Sequence, residues 1–268
     1  MLQVKRVQLK LSSKSFIDFM IKYFQKLGSS AGIPTKNRGV TSLMICSEKY
    51  DIMIDCGEGT YIKWLSEGYK WRRLKYIFIT HMHPDHTAGL IPLIFYRNIL
   101  RIETDLTIYG PPILEKYIEQ SLSLQGINLK FNINFNSVKN NRVFNLNDRL
   151  SVNTIKLEHK ILCFGYRIND GENSIVFITD SLPIKETIQF SLKANHFIHE
   201  ATFTDDDKLL ASKTKHTTIK QAIELGNKAN VKQIYLTHFS PRIKDDEIKI
   251  LENKYNFISL NQCVKISL

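Results

Sequence analysis

The sequence predicts an α/β fold in one domain. Short apolar runs of strand character alternate with segments of helical periodicity along the chain, and this interleaving is typical of α/β proteins. No low-complexity linker or internal repeat divides the sequence. With 268 residues, 43% hydrophobic and 24% charged, the composition is that of a globular protein with a substantial core.

The predicted strands are short apolar runs bounded by polar or turn-forming residues. They cover residues 41–46, 51–55, 74–80, 106–109, 129–135, 150–157, 163–168, 174–179 and 233–237. Helical patterns cover residues 60–67, 90–100, 112–124, 185–192, 218–228 and 245–255. Proline begins the third helix, and acidic residues begin the last, where each is favourable. The Asn-rich stretch 136–147 predicts an exposed loop or hairpin.

Residues 1–19 are predicted to be an N-terminal extension, either an extra strand or a flexible segment, and residues 20–268 a single domain. The extension is basic and serine-containing, so organelle targeting stays open as an alternative. Val7, Leu9 and Leu11 alternate with polar residues, which favours a strand. A secretory signal is not expected, because no continuous apolar segment follows the basic residues.

Charge and cysteine content narrow the class of protein. The 37 Lys and Arg against 26 Asp and Glu give a formal charge of +11. This charge favours an anionic partner: nucleic acid is the preferred interpretation, and phosphorylated small molecules are the next. The alternative is an enzyme whose basic charge serves no particular partner. The 4 cysteines are scattered, which argues against a disulfide scaffold or a cysteine-based zinc site and predicts a cytoplasmic protein. No apolar run reaches the roughly 20 residues of a membrane helix.

A dense group of histidines follows the predicted strand 74–80. It reads His81-Met-His83-Pro-Asp85-His86. Burying several imidazoles and a carboxylate without partners costs several kcal/mol. A strand end followed by a loop can hold such side chains together, so this segment predicts a metal site.

Three isolated residues follow other predicted strands. His159 comes after strand 150–157, Asp180 after 174–179, and His238 after 233–237. A lone histidine at the end of a strand is usually structural. Three residues of metal-binding types at three strand ends, together with the dense histidine group, instead indicate that all of these side chains surround one metal site. Imidazole and carboxylate donors without thiolates suit Zn²⁺ and also tolerate Mn²⁺.

These residues together resemble the metallo-β-lactamase superfamily, whose dinuclear hydrolases carry a His-x-His-x-Asp-His motif and a distant His, Asp and His. The resemblance implies a four-layer αβ/βα sandwich of two mixed β-sheets with helices outside and metals at one sheet edge. It implies two metal ions, with Asp180 bridging them. One ion would be held by His81, His83 and His159, and the other by Asp85, His86 and His238.

The segment from Asp55 to Thr60, reading Asp-Cys-Gly-Glu-Gly-Thr, matches a second superfamily motif. Asp55 is therefore a candidate for orienting a histidine ligand. A simple strand-to-helix turn with a cap is the alternative. His196 has no counterpart in the family motifs and is predicted to be structural.

Three further motifs resemble the ribonuclease Z family, the zinc-dependent endoribonucleases that remove 3′ trailers from precursor tRNA. They are His199-Glu-Ala-Thr-Phe203 with His216-Thr-Thr218, then Leu236-Thr-His-Phe-Ser-Pro-Arg242, and the loop from Leu27 to Arg38. The similarity runs from about Leu27 to the end of the sequence. It implies a precursor tRNA substrate, two Zn²⁺ per chain and a homodimer.

The resemblance also implies catalytic roles. Glu200 would orient His216, and His216 would protonate the leaving 3′ oxygen. A carboxylate partner raises the pKa of an imidazole and fixes its tautomer, which suits a general acid. Asp85 could act as base toward the attacking water.

Substrate contacts are implied by the same resemblance. Lys36 and Arg38 lie in the family's Pro-x-Lys-x-Arg loop, which faces the RNA end near the cut, and Arg242 is a candidate phosphate contact. A solvated turn is the alternative for Lys36 and Arg38.

The sequence departs from the family in one large feature. The long insertion between the positions of His159 and Asp180, which forms the tRNA-gripping arm, is replaced by a predicted hairpin turning at Asn169-Asp-Gly171. Smaller departures are Thr179 and Ser181 beside Asp180, and Gly39 in place of an asparagine. The tRNA would then be held by positive charge on the protein surface, for example in residues 70–75 and 208–220, or by a partner chain that replaces the arm.

Two other functions remain open at this stage. A dinuclear-zinc phosphodiesterase of the same fold, acting on a small nucleotide-like substrate, would suit an open site without an arm. A non-catalytic RNA-binding subunit is disfavoured, because the candidate ligand set is complete.

Overall fold

Two seven-stranded sheets form the centre of the structure. The computed structural model describes residues 20–260 and 265–268; the predicted extension 1–19 lies outside them. The described strands are β1 Ile21–Gly28, β2 Ser42–Ser47, β3 Asp51–Ile54, β4 Leu74–Phe78, β5 Leu106–Gly110, β6 Ile133–Ser137, β7 Val143–Asn145, β8 Ser151–Leu157, β9 Cys163–Asn169, β10 Ser174–Ile178, β11 His196–Glu200, β12 Gln233–Thr237, β13 Ile258–Ser259 and β14 Lys265–Ser267.

Both sheets are mixed. The first has the order β14-β1-β2-β3-β4-β5-β6, and the second has the order β13-β12-β11-β10-β9-β8-β7. In each sheet, one half is antiparallel and the other is parallel, with β3 to β6 parallel in the first sheet and β10 to β13 in the second. The carboxyl ends of parallel strands meet at one edge of a sheet, where ligands commonly bind.

Helices cover the outer faces of the sheets. They are α1 Thr60–Ser66, α2 Pro84–Thr87, α3 Leu90–Ile99, α4 Ile113–Leu124, α5 Lys185–Phe190, α6 Lys208–Thr214, α7 Ile219–Lys228 and α8 Asp245–Tyr255. The side chains of Thr218 and Gln221 form a capping box at the start of α7, which satisfies otherwise unpaired backbone N–H groups. Within the described residues, no helix is both long and apolar enough to cross a membrane.

Strand alternation divides the hydrophobic core into layers. In β4, Tyr76 and Phe78 pack in the cluster between the sheets, whereas Ile77 and the following Ile79 pack in the cluster under the helices of the first sheet. Successive side chains of a strand point to opposite faces, so a strand buried on both faces is apolar throughout. The predicted α/β sandwich of two mixed sheets flanked by helices is confirmed.

Local predictions were less accurate where tertiary packing determines the structure. Strand β11 was not predicted, because it carries polar residues, yet four of its five residues are buried in the second sheet. The prediction of an exposed loop or hairpin at 136–147 is confirmed only in part, since residues 139–142 form an exposed loop outside any strand. This stretch holds the end of β6 and all of β7, which belong to different sheets. The predicted hairpin turn is confirmed, since β9 and β10 pair antiparallel and the Asp170 N–H donates to Asn173 O at 3.2 Å.

Candidate active site

Four segments bring the predicted metal ligands together at one edge of the sandwich. The loop after β4 and the short helix α2 carry the dense histidine motif, and the segments after β8, β10 and β12 each add one residue. The candidate ligand atoms fall into groups whose members all lie within 4.8 Å of one another. All seven predicted ligands take part: His81, His83, Asp85, His86, His159, Asp180 and His238.

Group one contains His81, His83 and His159. His83 Nδ1 lies 2.9 Å from His81 Nε2 and 3.2 Å from His159 Nε2. Asp180 Oδ2 lies 3.7 Å from the Nε2 atom of both His81 and His159. Three imidazole nitrogens and one carboxylate oxygen therefore point at a common centre.

Group two contains Asp85, His86 and His238. Asp85 Oδ2 lies 3.3 Å from His86 Nε2 and 3.4 Å from His238 Nε2. Asp180 faces this group with its other oxygen, because Oδ1 lies 3.4 Å from His86 Nε2 and 3.3 Å from His238 Nε2. The two carboxylate oxygens of Asp180 thus face different groups.

The spacing of the donor atoms fits divalent metal ions. Two donors each about 2.1 Å from a tetrahedral ion lie roughly 3.4 Å apart, close to the 3.2 to 3.7 Å separations of most donor pairs here. The buried His86 Nε2 atom has no hydrogen-bond partner among the described residues, although two carboxylates lie near it. Buried polar atoms almost always have a partner. The lack of a hydrogen-bond partner for His86 Nε2 is therefore consistent with a bound metal ion at this atom.

The outward nitrogen of each buried ligand imidazole has a neighbour that orients the ring. His86 Nδ1 lies 2.7 Å from Asp55 Oδ2, and His238 Nδ1 lies 2.9 Å from Thr202 Oγ1. These contacts direct the opposite nitrogens toward the cluster. The remaining two are His81 Nδ1, at 3.0 Å from Thr80 Oγ1, and His159 Nδ1, at 3.2 Å from Lys215 O.

Burial controls the protonation of group one. Burial lowers the pKa values of His81, His83 and His159, although Asp180 opposes the shift. Neutral imidazoles are the form that binds metal. In group two, burial also disfavours the charged form of His86, but Asp180, Asp55 and Asp85 together raise its pKa well above the usual value.

Close backbone packing holds the ligand loop in place. The Cys56 N–H donates to His86 O at 2.8 Å, and the Gly89 N–H donates to Cys56 O at 2.9 Å. A Cβ atom at Gly57 would lie 2.2 Å from Asp85 O, so only glycine permits this approach. Asp55 and His238 have positive φ angles of 59° and 56°, which are uncommon for such residues and cluster at functional sites.

Glu200 and His216 form a pair beside the cluster. His216 Nδ1 lies 2.9 Å from Glu200 Oε1, and the carboxylate also accepts the Ser181 N–H at 2.8 Å. Burial disfavours the imidazolium, but the Glu200 carboxylate raises the pKa of His216 to about 9. The predicted pairing is therefore present, and His216 also lies near Asp180 and His238.

A cleft of about 350 Å³ opens beside the cluster. Arg242, one of the predicted substrate contacts, lines it together with His216 and Asp85. Lys36 and Arg38 line a different cavity of about 310 Å³.

Arg38 is only 3% exposed. Its Nη2 atom donates to Ser240 O at 3.3 Å and Ile243 O at 2.9 Å. The Arg38 guanidinium therefore joins two loops, and its expected contact with RNA stays a prediction.

Sequence reasoning missed several residues that support the ligands. Thr80 and Thr202 contact ligand imidazoles, but a threonine near a metal motif has no distinctive spacing. Lys160 also lines the cleft, and a single lysine after His159 gave no signal. His196 lies away from the cluster, with Nδ1 3.1 Å from the Tyr235 hydroxyl, in agreement with a structural role.

Comparison with known proteins gives the family. Residues 50–239 match the model of the beta-lactamase superfamily domain. A ribonuclease Z from Listeria monocytogenes is 33% identical, over 84% of this chain and 90% of the relative. The chain belongs to the ribonuclease Z family. A ribonuclease Z from Nitrosopumilus maritimus is 27% identical, over 85% of this chain and 92% of the relative.

Solved structures show the same fold. The short form of human tRNase Z superposes with a TM-score of 0.80 at 24% identity, covering 91% of this chain and 98% of that one. The metallo-beta-lactamase fold protein YhfI from Bacillus subtilis gives a TM-score of 0.76 at 22% identity, covering 93% of this chain and 98% of that one. The ribonuclease Z family assignment and the observed sandwich therefore agree.

Proposed function

We propose that this protein is a metal-dependent endoribonuclease that removes the 3′ trailer of precursor tRNA. The observation that carries the proposal is the convergence of all seven candidate ligands and the Glu200–His216 pair at one cleft. Membership of the ribonuclease Z family gives this cluster its substrate class. The formal charge of +11 suits a polyanionic substrate.

We propose two Zn²⁺ ions per chain, with Mn²⁺ tolerated. His81, His83 and His159 would hold one ion, Asp85, His86 and His238 the other, and Asp180 would bridge them. The donor set is imidazole and carboxylate without thiolate, which suits both metals. Such ions acidify water and stabilise charge on a phosphoryl oxygen.

The protein's own residues would complete the hydrolysis. Asp85 lines the cleft, and its Oδ2 atom accepts the Gly32 N–H at 2.9 Å, so its carboxylate is fixed to orient the attacking water and accept its proton. The water oxygen bonds to phosphorus as the bond from phosphorus to O3′ breaks. The trailer keeps a 5′-phosphate, and the tRNA body keeps a 3′-hydroxyl.

His216 would donate the proton to the leaving O3′. The hydrogen bond to Glu200 leaves Nε2 of the ring as the second nitrogen, and His216 lines the cleft. A donor with a raised pKa is protonated at neutral pH, which suits a general acid. Glu200 is a positioning residue, since it acts through His216.

We propose a homodimer formed through an apolar face on α1 and α3. Six exposed hydrophobic side chains lie on this face: Ile62, Leu65, Phe95, Tyr96, Ile99 and Leu100. The rings of Tyr61 and Tyr96 lie 5.0 Å apart and join the two helices. Exposed apolar side chains grouped on two neighbouring helices are typical of an interface.

Light scattering should test the dimer. We expect the wild-type protein to have the mass of two chains and the Ile99→Lys variant the mass of one, because a charge would be buried in the interface. The exposed Ile250 on α8 offers a matched control, and Ile250→Lys should remain dimeric. A monomeric wild type, or a dimeric Ile99→Lys variant, would contradict this interface.

We propose that the tRNA is held either by the positive charge on the surface of this protein or by a partner chain. The tight turn between β9 and β10 occupies the place of the family's arm. Localisation in the cytoplasm stays a prediction.

Cleavage of precursor tRNA tests the proposed function. The zinc-loaded protein would receive a precursor tRNA with a 3′ trailer and, in parallel, bis(p-nitrophenyl) phosphate. We expect removal of the trailer at one defined position near the discriminator base. Turnover of the small ester alone would move the substrate to a small nucleotide-like phosphodiester.

A further inference from the structure

The cleft beside the metal ligands has two walls built from different parts of the chain. The first wall contains residues 31–32 and 240–242, and the second contains Lys160 and residues of 210–216. Each wall is tied to a different ligand group, so the cleft is asymmetric. This asymmetry bears on how a directional polymer such as RNA lies across it.

The first wall is attached to group two. The Ala31 N–H donates to Phe239 O at 3.0 Å, which joins the two loops of this wall. The Gly32 N–H donates to Asp85 Oδ2 at 2.9 Å. Arg242, at the rim of this wall, therefore lies on the side of Asp85 and His238.

The second wall is attached to group one. Lys215 Nζ forms an ion pair with the Glu158 carboxylate, and Lys215 O lies 3.2 Å from His159 Nδ1. These contacts join the segment after β8 to the residue immediately before His216. The ring of His216 lies 5.2 Å from that of His159 and 5.6 Å from that of His238. Its backbone follows directly on Lys215, so the chain at His216 belongs to the same wall as Lys160.

Lys160 is the cation of the second wall that is available to a ligand. Its side chain is exposed and lines the cleft. The Lys215 ammonium group already forms an ion pair with Glu158. Lys160 makes no ion pair or hydrogen bond within residues 20–260 and 265–268. An ammonium group without a partner at the rim of a hydrolytic cleft suits a phosphate.

We propose that Lys160 binds the backbone phosphate on the 5′ side of the cut and so fixes the direction in which RNA crosses the cleft. The proposal rests on the proposed function, in which His216 protonates the leaving O3′. That oxygen belongs to the tRNA body. Because His216 lies in the second wall, the body lies along the second wall, and the trailer lies along the first wall beside Arg242.

The test combines Lys160 variants with neutral linkages in the RNA. A methylphosphonate replaces a single phosphate, either one linkage before the cut or one linkage after it, on a 2′-deoxynucleotide with a matched deoxy phosphodiester control. Lys160→Ala should raise KM for the unmodified substrate roughly 10-fold, as expected for one charged hydrogen bond. The neutral linkage before the cut should raise the wild-type KM by a similar factor and add nothing in Lys160→Ala.

Controls separate substrate contact from damage to the site. Lys160→Arg should restore most of the affinity, and metal content should stay at the wild-type level in both variants. Lys156 is exposed and does not line the cleft, so Lys156→Ala should behave as wild type although it removes the same charge.

Two results would overturn the assignment while leaving the proposed function intact. One is a Lys160→Ala variant with wild-type KM or lost metal. The other is coupling of Lys160 to the linkage after the cut, which would reverse the direction. A wild-type protein that hydrolyses the small ester and leaves every precursor tRNA uncut would overturn the proposed function and this inference with it.

Discussion

The two sheets contribute to the metal-ligand cluster in different ways. In the first sheet, the loop after β4 and helix α2 supply four candidate ligands within six residues, from His81 to His86. In the second sheet, three separate strand ends supply one candidate ligand each: His159, Asp180 and His238. The first contribution is local and depends on the loop conformation. The second depends on strand register across β8, β10 and β12.

Two of the orienting contacts, one on each sheet, differ in charge. On the first sheet, a carboxylate, Asp55, holds His86. On the second sheet, a neutral hydroxyl, Thr202, lies against His238. Charged hydrogen bonds are stronger than neutral ones, so these two contacts should respond differently to substitution.

Asp180 joins the two contributions, so its loss should have the largest effect. Asp180→Ala should lose most of its bound metal and more than about 100-fold in turnover, beyond what loss of an orienting partner costs. Elemental analysis and the ester assay measure both. Asp148→Ala, an exposed acid outside the cluster, serves as the control. Unchanged metal content in Asp180→Ala would refute the bridging role.

His216 should affect catalysis without affecting metal. His216→Ala removes the proposed proton donor, and general acids contribute typically 10²–10⁴-fold to rate. We expect trailer removal to fall by roughly that factor at wild-type metal content. His196→Ala controls for loss of a histidine away from the cleft and should retain turnover. Wild-type turnover in His216→Ala would show that the proton donor lies elsewhere.

Asp55→Asn tests the carboxylate contact on the first sheet. The amide keeps the shape but removes the charge beside His86, and substitution of such partners typically weakens metal binding 10–100-fold. Competition with a chromophoric chelator measures the affinity. An affinity equal to wild type would support the alternative role of Asp55 as part of a turn.

Thr202→Val tests the hydroxyl contact on the second sheet and should have the smallest effect. The lost contact to His238 is a neutral hydrogen bond, which costs about 1 kcal/mol, or roughly a fivefold change in metal affinity. The Thr202 hydroxyl also donates to Glu200 Oε2 at 2.5 Å, and loss of that contact acts on the Glu200–His216 pair and hence on turnover. The same chelator competition applies. An effect as large as that of Asp55→Asn would contradict the difference in strength between these two contacts.

The comparison also explains what could be predicted from sequence. The ligands of the first sheet are adjacent in the chain, so their spacing alone indicates a metal site. His159, Asp180 and His238 were found because each follows an apolar run, and their grouping was implied only by family resemblance. Thr80 and Thr202 carry no such pattern, and neither does Lys160, because the cleft is formed by distant segments.

Strand β11 and the burial of Arg38 illustrate the limit on the fold side. The polar residues of β11 do not give the apolar pattern by which a buried strand is predicted from sequence. The strand is nevertheless buried, because its neighbours in the parallel sheet, β10 and β12, supply the apolar surroundings. Arg38 lies in a motif that implied RNA contact, yet its guanidinium bonds the 240–243 loop. Local sequence could not show either result, since both depend on contacts far along the chain.

Mapping of product ends tests the central claim most directly. The zinc-loaded protein would cut precursor tRNA, and the ends of the body and trailer would be identified by mass spectrometry. Hydrolysis at the cluster with O3′ as the leaving group predicts a 3′-hydroxyl on the body and a 5′-phosphate on the trailer. A 2′-deoxy residue at the cut should leave the products unchanged. A 2′,3′-cyclic phosphate on the body would contradict the account.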